Sequence, residues 1–194
     1  MQLEPVVLEN RFVRLEPLGA AHREGLRAAC AADTQIWTAL YPYSLAGEHF
    51  DPRWSQLLAG AETGANLVFA VLAHGEVVGM SSYLNIDRAN AVTEIGGTYY
   101  RPDVRGGAVN PAAKRLLLTH AFDGGARRVQ FKVDALNARS RAAVLRLGAT
   151  QEGILRQDRV TWTGRIRDTA VFSILAEEWP KVRATLDARL ADFA

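Results

Sequence analysis

The stretch from Thr98 to Phe122 has the residue types and the spacing that can hold a phosphate group. It reads TYYRPDVRGGAVNPAAKRLLLTHAF: an aromatic strand end, a loop with two glycines, and then a helix rich in Leu and Ala. Glycine lets the backbone approach a ligand closely, and the first turn of a helix presents unpaired N–H groups at the positive end of its dipole. We therefore expect an anion at this loop.

Strands and helices on both sides must position the loop. Two apolar runs, Leu67–Leu72 and Val77–Tyr83, form a hairpin, and a third strand ends at Tyr100, which predicts an antiparallel meander. A helix over 111–123 and an alternating strand over Arg127–Ala135 follow. Together with the strand before the loop they make a β-α-β unit, in which the two strands are parallel.

The remaining segments complete a mixed α+β pattern. Further strands are predicted over Phe12–Leu18 and on both sides of a turn at Thr163-Gly164 near the C-terminus. The aromatic stretch Gln35–His49 is expected to be irregular. The other helices are predicted at Leu18–Asp33, at 47–58, from Asn137 to Gly148, and from about Glu177 or Pro180 onwards.

Composition narrows the class of protein. The 194 residues carry a net charge of +2, which argues against a nucleic-acid-binding protein that depends on a large basic face. Arg far outnumbers Lys, and the basic residues cluster near 101–105, 114–115, 127–132 and 139–146. A pocket for a polyanionic small molecule would explain this clustering, and so would solvated arginines on the outer faces of helices.

Features that the sequence lacks narrow the class of protein further. Cys30 is the only cysteine, so no internal disulfide can form, and we expect it to be a small packed residue in a reducing compartment. No signal peptide and no apolar stretch of ~20 residues is present, so the sequence favours a cytoplasmic protein with no membrane partner. The four histidines show no ligand spacing, and we predict no metal site.

The segment from Glu94 to Phe122, followed by RVQFKVDALNARSRAAVLRLGATQEGILR, resembles the core of the GNAT acetyltransferases. It is most similar to their branch related to ribosomal-protein N-terminal (alanine/serine) acetyltransferases, and LEP, RDTAVFSIL and EEWP also fit that branch. The resemblance covers about residues 8 to 190. It implies one GNAT-like domain over 1–194, with a central mixed, mostly antiparallel sheet of about seven strands, flanked by helices and splayed between strands 4 and 5.

The resemblance also implies acetyl-CoA as a co-substrate. The family's cofactor loop has Gln or Arg, two variable residues, Gly, one variable residue, then Gly or Ala. Here the first position is Arg105, and Ala108 and Asn110 stand at the two closing positions. Asn110 is expected to cap the next helix, with Pro111 at its first position. The residues implied to bind the cofactor are Arg105, Gly106, Gly107, Ala108, Val109, Asn110, Lys114, Asn137 and Ser140.

Two of these residues have alternative interpretations. Lys114 could add a point charge to the pyrophosphate or the 3′-phosphate, or it could be a solvated helix residue. Asn137 matches the Asn that hydrogen-bonds the pantetheine arm in similar proteins, but Asn is also a good helix cap in its own right. The splayed strands leave backbone groups that can pair with pantetheine amides.

The implied reaction is direct attack of an amine on the thioester, with no covalent enzyme intermediate. Glu94 is the candidate base, because it lies on the strand before the loop, in an apolar context where the pKa of a carboxyl tends to rise. A paired structural carboxylate is the alternative. Backbone N–H groups near Thr98–Tyr100 would hold the oxyanion. Tyr99, Tyr100 and Ser173 are open candidates for the acid.

The acceptor stays open between a protein N-terminal amine and a small-molecule amine. A non-catalytic acyl-CoA-binding regulatory domain is a second hypothesis, motivated by the irregular loop. Either a monomer or a homodimer is compatible with the sequence. The aromatic residues that could line an acceptor site are Trp37, Tyr41, Tyr43, Trp54 and Trp162.

Overall fold

The computed structural model describes residues 1–193, which form an α+β fold around one eight-stranded sheet. The strands are β1 (Leu8–Glu9), β2 (Arg14–Pro17), β3 (Leu67–Ala73), β4 (Glu76–Asp87), β5 (Val92–Tyr100), β6 (Arg128–Asp134), β7 (Thr150–Val160) and β8 (Ile166–Leu175). The helices are α1 (Arg23–Ala31), α2 (Gln35–Leu40), α3 (Phe50–Glu62), α4 (Val109–Asp123), α5 (Ala138–Arg146) and α6 (Trp179–Ala191).

The strand order in the sheet is β1-β2-β3-β4-β5-β6-β8-β7. Only the β5–β6 pair is parallel among the strand pairs of residues 1–193, so the expected mixed, mostly antiparallel sheet is confirmed. The sheet has one strand more than the seven predicted. This is β1, which is only two residues long and too short to show an alternating pattern.

One helix lies where an irregular stretch was expected. The six residues of α2 end at Leu40, and Tyr41 is extended (φ −97°, ψ 145°) because the residue before a proline avoids the helical region. The prediction missed α2 because Pro42 follows it so closely. The helix predicted at 47–58 is also displaced, since α3 runs from Phe50 to Glu62.

Strands β5 and β6 separate after a short paired segment. Their register pairs Val92 with Arg128, Thr93 with Val129, and Glu94 with Gln130, and the pairing ends there. Beyond that point β5 stays with β4 as far as Tyr100, and β6 stays with β8 as far as Asp134. Because β1 was not counted in the prediction, the predicted strands 4 and 5 are β5 and β6. The predicted splay between them is therefore confirmed, and it opens a wedge in the middle of the sheet.

Each face of the sheet carries its own core. On one face, α4, α5 and α6 cover Phe131 and Phe172. On the other face, α1, α2 and α3 pack their apolar side chains against Met80 and Tyr99. Tyr99 and Tyr100 point to opposite faces, as successive strand residues do. Among the helices of residues 1–193, none is both long and apolar enough to cross a membrane.

Candidate functional site

A cavity of about 400 Å³ opens where β5 and β6 separate. It is bounded by the loop before α4, the start of α5 and the aromatic segment after α2. Eight of the ten predicted site residues line it: Glu94, Arg105, Gly106, Gly107, Asn110, Lys114, Asn137 and Ser140. Ala108 and Val109 are not among the lining residues, and Val109, the first residue of α4, packs in the core.

The loop before α4 leaves a row of free backbone donors. Gly106 has φ +85°, in the left-handed region that glycine adopts without strain, and turns the chain into the helix. Between residues 1 and 193, no backbone or side-chain acceptor bonds to the N–H groups of Gly107, Ala108, Val109 or Asn110. These groups sit at the positive end of the α4 dipole, which is the physical arrangement that binds a phosphate.

The predicted cap of this helix is wrong. Ala108, not Asn110, is the N-cap, and its carbonyl accepts the first helical hydrogen bond, from the N–H of Ala112 at 2.9 Å. The helix starts two residues earlier than expected, because the turn at Gly106 already aligns Ala108 with helical angles (φ −69°, ψ −25°). Asn110 is thus inside the first turn, where its side chain lines the cavity and does not cap.

Arg105 braces the loop. Its Nε donates to the Tyr100 carbonyl at 2.7 Å, and its Nη1 donates to Asp33 Oδ2 at 2.6 Å. Its Nη2 is buried and has no hydrogen-bond partner in the described chain. The guanidinium therefore ties the end of β5 to Asp33, two residues beyond α1, and its Nη2 group remains available to donate to a ligand.

The start of α5 carries the other predicted cofactor residues. Asn137 caps the helix, since its Oδ1 accepts from the Ser140 N–H at 3.0 Å. The cap uses only the amide oxygen, so the Nδ2 group of Asn137 can still donate to a ligand in the cavity.

Charge in the cavity lining is strongly asymmetric. Two lining residues are acidic, Glu94 and Asp134, and Asp134 is held by Arg165 and Arg167. The lining basic residues are Arg53, Arg105, Lys114, Lys132, Arg139, Arg146, Arg159, Arg167 and Arg189. Such a lining suits a ligand with several negative charges. In residues 1–193 no cluster of three or more His, Cys, Asp or Glu side chains is arranged to hold a metal ion.

Glu94 lies on the floor of the wedge with two polar partners. Its Oε2 accepts from Asn85 Nδ2 at 3.1 Å and lies 3.5 Å from Lys132 Nζ, and its side chain is only 8% exposed. Asn85 reaches it from an irregular part of β4, where its φ is +51°. The sequence contained one weak signal for this contact, namely that Asn is among the residues that tolerate a positive φ.

The three candidate acids lie in different surroundings. Tyr99 points away from the α4 side, and its hydroxyl donates to the Ala29 carbonyl at 2.8 Å. Ser173 donates to Glu152 Oε1 at 2.8 Å and does not line the cavity. Tyr100 lines the cavity, its buried hydroxyl has no partner in the described chain, and burial raises its pKa.

Lys114 is turned into the protein. Its Nζ donates to Thr98 Oγ1 at 2.7 Å and to Ser81 Oγ at 3.3 Å, and the residue is 5% exposed. It is therefore not a solvated helix residue, and its ammonium group lies on the strands and not beside the loop. The sequence contained a signal for the burial of Lys114. Leu117 and Leu118 follow it by three and four residues and therefore share its face of the helix, and both are fully buried.

The aromatic residues after α2 close the other side of the cavity. Tyr41 donates its hydroxyl to the Thr98 carbonyl, and the guanidinium of Arg53 stacks 3.8 Å above the ring of Tyr43. Both tyrosines line the cavity, as predicted for an acceptor site. The three tryptophans named with them do not line it: Trp37 and Trp54 are buried in the core, and Trp162 donates to the Trp37 carbonyl.

The chain matches the acetyltransferase (GNAT) domain family over residues 13–150 and belongs to that family. YdaF of Bacillus subtilis, a proposed ribosomal N-acetyltransferase, is 33% identical over 132 residues, which cover 66% of this chain and 68% of YdaF. A proposed acetyltransferase from T. thermophilus has a solved structure that is 37% identical, with a TM-score of 0.88 and coverage of 98% of this chain and 100% of that one. RimJ of Mycobacterium smegmatis, solved with CoA-disulfide, is 26% identical, with a TM-score of 0.84 and 95% of each chain covered.

Proposed function

We propose that this GNAT acetyltransferase transfers the acetyl group of acetyl-CoA to a primary amine by direct attack, and that a protein N-terminal amine is the acceptor class. The observation that carries the proposal is the wedge between β5 and β6. It has free helix N–H groups at one end and a buried carboxylate, Glu94, at the other. The N–H groups suit the phosphates of a long anionic cofactor, and the carboxylate suits an amine that must lose a proton before it attacks.

The cofactor's pyrophosphate would bind the free N–H groups of the loop from Gly107 to Asn110. The pantetheine arm would run along the separated strands, where its amides can pair with backbone groups that β5 and β6 no longer share, much as a peptide adds to a sheet edge. The Nδ2 of Asn137 supplies one further donor for that arm. The nine basic lining residues balance the charge of the phosphates.

Glu94 would act as the base for the incoming amine. Its Oε1 has no hydrogen-bond partner in residues 1–193, whereas Oε2 is held by Asn85. A carboxylate fixed through one oxygen can accept a proton through the other, directly or through one water. Backbone N–H groups beyond the point where β5 leaves β6 are the donors available for the oxyanion.

The sparse negative charge supports an acceptor with a single amine. A polyamine or an aminoglycoside would need several carboxylates in its pocket. Among residues 1–193, however, the carboxylates that line this cavity are those of Glu94 and Asp134, and Asp134 is already paired. A protein N-terminus brings one amine and a neutral backbone. The resemblance to YdaF, a proposed ribosomal N-acetyltransferase, supports the same class.

A turnover screen tests the proposal. Release of CoA thiol is followed for peptides with free N-termini and, in parallel, for polyamines, aminoglycosides and amino acids. Cys30 is fully buried and burial raises the pKa of its thiol to about 12, so the enzyme adds little background to a thiol assay. Turnover with peptides alone supports the proposed acceptor, and turnover with small amines alone rejects it. A protein that is stabilised against heat by CoA but never releases thiol would be a binding domain.

A further inference from the structure

Lys114 is a buried cation that faces the cavity without an opposite charge. In the part of the chain that the structure describes, four lining residues of the acidic or basic types are buried: Glu94, Lys114, Asp134 and Arg167. Glu94 is near Lys132, and Asp134 is near Arg165 and Arg167. No carboxylate of residues 1–193 comes within 4 Å of Lys114 Nζ, and its partners are two neutral hydroxyls.

A phosphate on the loop does not supply the missing charge. Lys114 is five residues beyond the start of α4, which at a rise of 1.5 Å per residue is about 7.5 Å along the helix axis. Its Nζ is bonded to Thr98 Oγ1 and Ser81 Oγ on the strands. The ammonium group therefore lies beside the separated part of β5, between the phosphate end of the cavity and Glu94.

We propose that Lys114 is the group that stabilises and protonates the departing thiolate of CoA. The inference rests on the acetyl transfer proposed above. The amine nitrogen forms a bond to the thioester carbonyl carbon, the carbon–sulfur bond breaks, and its electron pair leaves on sulfur. Lys114 gives one proton to that sulfur and becomes a neutral amine, and it regains a proton from water. The proton lost by the attacking amine leaves through Glu94.

The surroundings of Lys114 suit this role. Burial lowers the pKa of the ammonium group to about 7, below the value of about 8.5 for an ordinary thiol, so transfer of its proton to a thiolate is favourable. The groups placed against its Nζ are Ser81 from β4, Thr98 from β5 and the ring of Phe131 from β6, and none of them carries a charge that would hold the lysine's proton in place. Tyr83 and Tyr100 pack in the core on this face of the sheet, and burial raises the pKa of both hydroxyls, so they are neutral as well.

Other groups in the cavity are less suited to protonate sulfur. Tyr99 and Tyr41 donate hydrogen bonds from their hydroxyls to the carbonyls of Ala29 and Thr98. The hydroxyl of Tyr100 has no partner, but burial raises its pKa, so it gives up a proton to a thiolate less readily than the ammonium group does. Along α5, the lining residues are arginine, asparagine, serine and apolar side chains, none of which gives up a proton near neutral pH.

The test follows kcat against pH with an acceptor from the turnover screen. It compares the wild type with Lys114→Met and with Lys181→Met, a matched control whose lysine is exposed on α6 and does not line the cavity. In the wild type and in Lys181→Met, kcat should fall as the pH rises past about 7, because Lys114 then loses the proton that the departing sulfur needs. In Lys114→Met, this fall at basic pH should be absent.

The same fall of kcat at basic pH in the wild type and in Lys114→Met would overturn the proposal. Lys114→Gln, which is neutral and can still bond Thr98, serves as a second variant should the Met variant fold poorly. With an acceptor from the turnover screen, kcat should fall about 10²-fold in either variant while the KM for acetyl-CoA changes little. Gain of one acetyl group on Lys114, seen by mass spectrometry, would mark it as an acceptor and reject the proposed role. Failure of CoA to bind the wild type would reject the proposed function instead.

Discussion

The carboxylate of Glu94 lies directly over Gly96. A Cβ placed on Gly96 would be 2.8 Å from Glu94 Oε1 and 2.8 Å from Leu84 Cδ1, closer than real Cβ atoms come to other heavy atoms. The absence of a side chain at Gly96 therefore determines where the carboxylate can lie. Because Asn85 holds the other oxygen, the position of Glu94 is fixed from two sides.

Substituting Gly96 tests this relationship. Gly96→Ala should displace the carboxylate and lower kcat about 10-fold or more, since a misplaced base transfers protons poorly. The thermal shift caused by CoA should stay close to that of the wild type. Gly153→Ala is the matched control: Gly153 is also a strand glycine, and an added Cβ meets nothing within 4 Å. Equal loss of activity in both variants would mean that the close approach at Gly96 is not what matters.

Removing the carboxylate of Glu94 should lower kcat more than Gly96→Ala does, and it should also change the pH profile. Glu94→Gln keeps the shape and the contact with Asn85 but cannot accept a proton, so kcat should fall about 10²- to 10⁴-fold. The acidic limb of the kcat–pH profile should disappear as well. A variant that keeps both the rate and the profile would show that a water chain, and not Glu94, deprotonates the amine.

The two possible roles of Asn137 can be separated. Asn137→Ala removes the cap of α5 and should lower the free energy of unfolding by about 1 kcal/mol. Asn137→Asp keeps the oxygen that accepts from the Ser140 N–H but lacks the amide donor. If Asn137 binds pantetheine, the Asp variant should unfold like the wild type and yet show a raised KM for acetyl-CoA. An unchanged KM would leave Asn137 as a helix cap alone.

Arg105 should control the affinity of the loop for the cofactor. Lysine cannot reach both the Tyr100 carbonyl and Asp33, so Arg105→Lys should weaken CoA binding by about 1–3 kcal/mol in a calorimetric titration. Arg101→Lys provides the comparison, since its ion pairs with Glu76 and Asp103 are solvent-exposed and contribute little. Equal effects of the two variants would argue that general charge, and not bracing of the loop, governs affinity.

The buried charge of Lys114 should cost stability in a pH-dependent way. The pKa is 10.5 for an ordinary lysine and about 7 in the folded protein, so between these values the unfolded chain binds more protons. Stability of the wild type should then rise with pH, by at most about 1.4 kcal/mol per pH unit. Lys114→Met lacks this group, so its advantage in urea unfolding should be largest below about pH 7 and shrink toward about pH 10. A constant difference would show that Lys114 is not buried as a cation.

Much of the fold follows from local sequence. The meander from Leu67 to Tyr100 and the strand at Arg128–Asp134 are long or strongly alternating, and their boundaries come close to those of the structure. The elements that the sequence did not predict are short: β1 has two residues and α2 has six, so neither is long enough for a hydrophobic pattern to repeat several times. Their formation depends on packing against the rest of the sheet and on Pro42, and composition alone does not reveal it.

The sequence by itself determined the glycine loop, the helix that follows it and the capping Asn at the start of α5, because these features depend on neighbouring residues along the chain. Only the tertiary structure decided where the charges lie. Burial of Leu117 and Leu118 turns the Lys114 face of α4 toward β5, and the left-handed backbone at Asn85 brings its amide to Glu94. Side-chain direction at such positions depends on how a helix is rotated over the sheet and where a strand is irregular. Contacts between residues far apart in the chain determine the rotation of the helix and the irregularity of the strand. The local sequence could therefore indicate the position of the cofactor loop, but only the packed sheet showed the direction of the Lys114 side chain.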